Sequence, residues 1–134
     1  MQLVEQPGSS AVVSRLAVLE IESVFATKFR TGELDAFGQE ACRRSLRADL
    51  SQWRIQVGPR IEEHHYSGTR KLRIQYGSKM ALRTLDSLQL AIALDLKNAG
   101  IVSVMVVADR DFAKLRKCVV SPQSCPSASG IVVL

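Results

Sequence analysis

Apolar residues follow their clearest pattern in the second half of the chain, where four of them recur at helical spacing: Leu88, Ala91, Ile92 and Leu96. The pattern predicts a helix with its N-cap at Thr84 and its end just before Gly100. The run at 102–107, rich in β-branched residues, is too short for a helix and is typical of a strand buried on both faces. Because Asp86 lies in the first helical turn and Asp109 follows the strand, this unit can bring two carboxylates together.

The remaining elements follow from the same patterns and from turn residues. We predict strands at 11–13, 53–57 and 131–134 and helices at 15–31, 33–50, 59–76 and 113–118. The order β-α-α-β-α-α-β-α-β favours a three-layer α/β/α sandwich with a mostly parallel sheet, in which ligands bind beyond the carboxyl ends of the strands. Glu20 follows the first strand, with Ser14 as the N-cap of its helix, and Asp109 ends a later strand, so both acids can reach that edge.

Each acid also has an ordinary structural explanation. An Asp in a first helical turn interacts with the helix dipole by roughly 0.3–1 kcal/mol, and an Asp after a strand commonly caps a helix or bends a turn. Glu20 lies in a mostly apolar helical stretch, which is unusual for a carboxylate unless it is paired or metal-bound, although a solvated Glu is the commoner case. We interpret Asp111 as a spare acid that caps a helix.

Three segments carry a family resemblance, and they are SRLAVLE at 14–20, LRTLDSLQLA at 82–91 and VVADRDF at 106–112. In this order and at this separation, they resemble the segments that carry the second, third and fourth acids of PIN-domain proteins, the family of VapC-type toxin ribonucleases. The resemblance implies that Glu20, Asp86 and Asp109 are catalytic residues and metal ligands.

The resemblance implies a Mg²⁺-dependent endoribonuclease that hydrolyses RNA phosphodiesters and is the toxin of a toxin–antitoxin pair. Three carboxylates within a few ångströms of one another have raised pKa values, so a hard divalent cation, Mg²⁺ or Mn²⁺, fits such a group. We expect Arg83 and Arg110 to contact the phosphate backbone of the substrate. The expected partners are the RNA substrate, a protein antitoxin and a second copy of the chain in a homodimer.

The chain departs from the family pattern near its start. Only thirteen residues precede Ser14, and none of them is Asp, whereas a βαβ unit takes roughly 30 residues or more. We therefore expect a single PIN-like domain over residues 1–134 that is incomplete at its N-terminus and lacks the family's first strand, first helix and first acid. Either the start lies upstream or the product is a fragment, and activity would depend on an acid supplied upstream.

Two other functions remain open on these residues. One is a catalytically inactive PIN remnant that binds an antitoxin or a PIN protomer. The other is an unrelated α/β binding module, in which the acids are helix caps and dipole partners. Metal binding that depends on Asp86 would separate either PIN function from the unrelated module.

Composition bears on the compartment more than on the function. The formal charge of +5, from 18 basic and 13 acidic residues, permits a polyanionic partner without requiring one. No apolar run approaches the ~20 residues of a membrane span, and no signal-peptide pattern opens the chain. Cys42, Cys118 and Cys125 form no CxxC motif. We therefore expect a reduced, cytoplasmic protein without a membrane partner.

His64 and His65 are the two histidines of the chain. Adjacent residues on a helix point about 100° apart, so we do not expect this pair to bind one metal ion as an i, i+4 pair does. We expect His65 to pack in a half-buried position and His64 to face solvent.

Overall fold

The computed structural model describes residues 10–106 and 130–133. They form a mixed α/β chain whose elements follow the predicted order: β1 (Ser10–Val13), α1 (Arg15–Arg30), α2 (Ala36–Ser51), β2 (Ile55–Val57), α3 (Glu63–Tyr76), α4 (Thr84–Asn98), β3 (Val104–Val106) and β4 (Gly130–Val133). The mixed α/β class is thereby confirmed, while the helix predicted at 113–118 lies outside the described residues. Within those residues, no helix combines the length and the apolar character needed to cross a membrane.

The described strands form one sheet in the order β2-β1-β4-β3, and every neighbouring pair is parallel. Ala11 of β1 lies opposite Ile55 of β2 on one side and Ile131 of β4 on the other. The prediction of a parallel sheet is confirmed for these strands. Because all of them run in one direction, their carboxyl ends share one edge of the sheet, and Ser14, directly after β1, marks that edge.

Several element boundaries differ from the predictions: α2 begins at Ala36 rather than at 33, β3 begins at Val104 rather than at 102, and the N-cap of α4 is Arg83 rather than Thr84. Two further differences have local reasons. The strand predicted at 53–57 begins at Ile55, because Trp53 takes a left-handed conformation, with φ of 59°, just after α2. The helix predicted at 59–76 begins at Glu63. Here the backbone N–H of Glu62 donates to Nδ1 of His65 at 2.9 Å, and this contact fixes the first turn of α3.

The buried core is centred on α4. Its members on α4, α3, β1 and the segments around them include Leu90, Ile92, Ala93, Leu96, Leu72, Val12 and Val102. α3 and α4 approach each other closely, since a Cβ added at Gly68 would lie 3.4 Å from the Cβ of Ala91. The predicted apolar face of α4 is therefore the face that packs in the core.

The α1–α2 hairpin contributes much less to the core. Ala17 is the buried residue of α1, and α2 has none. Large apolar side chains remain exposed on the hairpin, with Leu19 at 66% and Phe37 at 77%. Within the described part of the chain, α1 is therefore packed against the β1–α4 core chiefly near its N-terminus, where Ala17 is buried and Glu20 follows.

Candidate metal centre

Glu20 is placed by a helix that begins where β1 ends. The Ser14 hydroxyl accepts a hydrogen bond from the Ala17 N–H at 3.0 Å and caps α1 directly after the strand, as predicted. Glu20 follows in the second turn of α1 and is exposed. Because this cap sets where α1 begins, it also sets the position of Glu20 relative to the edge of the sheet.

Gln89, a residue of α4, connects α4 to α1. Its Nε2 donates to Oε2 of Glu20 at 2.9 Å, and its Oε1 accepts from the Ser14 hydroxyl at 2.5 Å. Gln89 and Ser14 are both buried. Because Ser14 directly follows the last residue of β1, the first turns of α4 lie at the carboxyl end of that strand.

Asp86 lies one turn before Gln89 on the same face of α4, because residues three apart on a helix are neighbours. It is half-buried and lies in the first turn, where the helix dipole favours a carboxylate. Leu85, next to it, lines an open groove together with Glu20 and Val24 of α1. The structure thus brings together the two helical segments that carry Glu20 and Asp86.

The other predicted site residues are described only in part. Asp109, Arg110 and Asp111 lie outside the described residues. The strand that precedes them, β3, is parallel to β4, so its carboxyl end at Val106 faces the same edge of the sheet. Arg83 is exposed, directly precedes α4 and lies one turn before Asp86. Its guanidinium makes no ion pair with the residues that the structure describes.

A second polar cluster joins α3 to α4. Nε2 of His64 and Nε2 of His65 lie 3.1 Å and 3.2 Å from the same atom, Oδ2 of Asp95. The prediction that His65 is half-buried is wrong, since it is 2% exposed, whereas His64 is exposed as predicted and also contacts Asp95. Rotation about the side-chain bonds lets the two adjacent rings, with centroids 3.9 Å apart, converge on one acid of the neighbouring helix.

Hydrogen bonds in this cluster favour the ionised form of Asp95 and one tautomer of His65. The hydrogen bond from His64 is the largest cause that lowers the pKa of Asp95, and burial of the carboxylate opposes it. His65 accepts the backbone N–H of Glu62 at Nδ1, so its proton lies on Nε2 and is donated to Asp95. Oε2 of Glu62 also lies 3.7 Å from Nδ1 of His64.

The distances between the ligand atoms of the cluster would allow a metal site. The hydrogen bonds, however, fit a direct connection between α3 and α4 better. One ligand atom from each of His64, His65 and Asp95 lies within 4.8 Å of the others. A metal ion at Nε2 of His65 would displace its proton, and the neutral ring would then carry a proton at Nδ1, against the Glu62 N–H. Metal-binding histidines instead donate their second ring N–H to an acceptor.

Sequence reasoning did not single out Gln89, although a signal was present. Gln89 interrupts the apolar run LQLAIAL of a helix that was predicted to face the core. A polar residue at a buried position requires hydrogen-bond partners, and those partners are Ser14 and Glu20. Neither could be identified from the spacing within α4 alone.

Comparison of the chain with protein-family models, with curated proteins and with solved structures finds no match in any of the three. The functional assignment therefore depends on the residues and on the arrangement described above.

Proposed function

We propose that this chain is a Mg²⁺-dependent endoribonuclease of the PIN, VapC-type family, with a three-layer α/β/α sandwich, and that it is the toxin of a toxin–antitoxin pair. The observation that carries the proposal is the hydrogen bond between Gln89 and Glu20. It joins the helix with the proposed second acid to the helix with the proposed third acid, Asp86. Gln89 also contacts Ser14, which directly follows β1, and ligands bind in parallel sheets beyond the carboxyl ends of the strands.

The donor set fits a hard divalent cation. Glu20 and Asp86 offer carboxylate oxygens, which Mg²⁺ and Mn²⁺ prefer. Among the described residues, Oε1 of Glu20 accepts no hydrogen bond, and we propose that it is the atom that coordinates the cation. Asp109 is the proposed third ligand. When bound, the cation would polarise the scissile phosphoryl group and make water easier to deprotonate.

Basic residues would hold the RNA backbone in this proposal. Arg83 lies one turn from Asp86, and an exposed guanidinium can bind a phosphate through two parallel hydrogen bonds. Arg110 is the proposed second phosphate contact. The formal charge of +5 favours the approach of a polyanion. The proposed setting is the cytoplasm, where the RNA substrate and a protein antitoxin would meet the chain.

A second candidate function is binding without catalysis, by a PIN remnant that docks on an antitoxin or on another PIN protomer. The observation that favours it is the apolar surface of the α1–α2 hairpin, whose large side chains Leu19, Val24, Phe29 and Phe37 are exposed by 47–77%. Exposed apolar surface of this kind is typical of protein interfaces. In this case the chain would keep its partner and lack nuclease activity.

Thermal unfolding with Mn²⁺ tests the proposed metal site. At about ten times its Kd, Mn²⁺ should stabilise the wild-type chain by about 1.4 kcal/mol and raise Tm by roughly 5 °C. Asp86→Asn should lose most of this shift, because it removes an anionic ligand and keeps the shape of the side chain. Glu63→Gln neutralises the first-turn acid of α3 and should keep the full shift. Equal shifts for wild type and Asp86→Asn would contradict the metal site.

Cleavage of RNA separates the enzyme from the remnant. The wild-type chain, freed of any bound inhibitor, is incubated with total RNA in Mg²⁺ and in a chelator. Cleavage that requires Mg²⁺ and is lost in Asp86→Asn would support the nuclease. A chain that Mn²⁺ stabilises through Asp86 but that cleaves no RNA, even when it is extended upstream to supply a further acid, would instead favour the binding function.

A further inference from the structure

Gln89 and Ser14 are polar residues in the interior of the molecule. Gln89 is 4% exposed and Ser14 is 3% exposed. Burial of a polar side chain is unfavourable unless hydrogen bonds replace those made with water. An apolar side chain at position 89 would avoid this cost, so the presence of an amide there needs an explanation in terms of the groups that it contacts.

The hydrogen bonds run in one direction, from the backbone of α1 to Glu20. A lone pair of Ser14 Oγ accepts the Ala17 N–H, which leaves the hydroxyl proton to be donated to Oε1 of Gln89. With Oε1 directed at Ser14, the amide NH₂ faces Glu20 and donates to Oε2. The reversed amide would place Oε1 against the carboxylate and leave the Ser14 proton without its acceptor, so one orientation of the amide is favoured.

We infer that Gln89, held in this orientation by Ser14, is a positioning residue that orients the Glu20 carboxylate for a divalent cation. The inference rests on the proposed function and adds to the metal site two residues that do not contact the cation. The hydrogen bond occupies Oε2 of Glu20 and leaves Oε1 to coordinate. A long side chain loses rotamer freedom when it binds a ligand, and a carboxylate that is already oriented loses less of it.

The arrangement also couples the two proposed ligands. Asp86 and Gln89 lie on one face of α4, so the same helix supplies one ligand directly and orients the other through its amide. Loss of a partner that hydrogen-bonds a metal ligand typically weakens metal affinity by 10–100-fold. The affinity for a divalent cation is therefore the quantity that a positioning role changes and that a purely structural role leaves alone.

Isothermal titration calorimetry of the folded full-length chain with Mn²⁺ tests the inference. Gln89→Met keeps the length of the side chain and removes both hydrogen bonds, and we expect it to weaken the Kd for Mn²⁺ by about 10–100-fold. Ser14→Thr keeps the hydroxyl that accepts from Ala17 and donates to Gln89. We expect this conservative variant to retain the wild-type Kd.

The matched control removes a helix cap elsewhere. Oδ1 of Asp35 accepts the Gly38 N–H at 2.7 Å and caps α2, so Asp35→Ala loses a cap and leaves the contacts of Gln89 in place. We expect a lower Tm with an unchanged Kd. Ser14→Ala loses a cap and also frees the amide, so both its Tm and its affinity should fall. If circular dichroism shows that Gln89→Met does not fold, Ser14→Ala measured against Asp35→Ala decides the question.

Two outcomes would overturn the inference, and they are distinguishable. If the wild-type chain binds Mn²⁺ and Gln89→Met binds it with the same Kd, Gln89 has no positioning role, although the metal site stands. If the wild-type chain does not bind Mn²⁺, the proposed function itself fails, and the positioning role fails with it.

Discussion

Among the acids of α3 and α4, Asp95 is the one whose pKa is shifted most clearly by folding. One of its oxygens contacts both histidines of α3. The largest cause that lowers the pKa of Asp95 is the hydrogen bond from His64, and burial of the carboxylate opposes this shift. A lowered pKa means that folding favours the ionised carboxylate, so ionised Asp95 contributes to stability.

We expect this contribution to depend on pH in the acidic range. The folded-state pKa of Asp95 lies below the unfolded value of about 3.9, so the contribution is complete above that value and is lost as the pH falls through the folded-state pKa. Asp95→Asn should lower the free energy of unfolding near pH 6 by about 1 kcal/mol, a modest figure because the side chain is 44% exposed and solvent screens it. The difference from wild type should shrink below about pH 4.

Urea unfolding between pH 2 and pH 6 measures this dependence. Glu63→Gln is the comparison variant, because Glu63 is an exposed acid of the same helix pair that makes no hydrogen bond with the described residues. The difference in unfolding free energy between Glu63→Gln and wild type should vary little with pH. A difference for Asp95→Asn that stayed constant down to pH 2 would show that ionisation of Asp95 does not stabilise the fold.

α4 shows how far an element can be predicted from its own sequence. The apolar spacing and Gly100 predicted a helix there, and the structure has Thr84–Asn98 with Ala91, Ile92 and Leu96 buried. The predicted start of α3 was wrong because the first turn of this helix depends on a side-chain cap by His65. Local periodicity determines which face of a helix is apolar, but special caps and left-handed residues can move its ends.

Contacts between elements were not predictable in the same way. Gln89 reaches Glu20 across 69 positions of the chain, and His65 reaches Asp95 across 30. Such contacts depend on the register in which packed helices meet, and the spacing within one helix carries no information about that register. The family resemblance suggested that Glu20 and Asp86 belong to one site, but not which side chain connects their helices.

The contact between α3 and α4 leaves room for a methyl group at Gly68. A Cβ there would have one neighbour within 4 Å, the Cβ of Ala91 at 3.4 Å. Replacing a Gly by Ala inside a helix favours the helix by about 1 kcal/mol, so Gly68→Ala should raise Tm by roughly 4 °C. Gly68→Leu should lower Tm instead, because the larger side chain forces the helices apart at a cost of about 1–3 kcal/mol.

Thermal unfolding of the two Gly68 variants measures both effects on the same contact. Ala and Leu have similar helix propensities, so the difference between the variants reports the space between the helices. If Gly68→Ala lowered Tm as much as Gly68→Leu, the helices would lie closer than the structure places them.

Burial is uneven over the described chain as a whole. α3, α4 and β1 supply most of the buried side chains, whereas α2 supplies none and α1 supplies Ala17. Regions with few buried apolar contacts open with a smaller free energy than the core does. We therefore expect the α1–α2 hairpin to open more readily than the pair of helices α3 and α4.

The proposed metal site spans these two parts, since Glu20 lies on α1 and Asp86 on α4. Hydrogen exchange followed by mass spectrometry can therefore locate the cation. Without Mn²⁺, amides of α2 should exchange faster than those of α4. Mn²⁺ at about ten times its Kd should slow exchange in α1 by up to about tenfold, because opening of α1 would then require release of the ion.

Comparison of α1 with α3 decides this prediction, because α3 carries no proposed ligand. Slower exchange in α1 and α4, with smaller changes in α3, would agree with a cation held between Glu20 and Asp86. Slower exchange centred on α3 would instead locate the ion at His64 and Asp95, and the hydrogen-bonded connection would have to give way to a metal site. If Mn²⁺ bound measurably and exchange in α1 did not change, Glu20 would not be a ligand, because an ion held by Glu20 must oppose the opening of its helix.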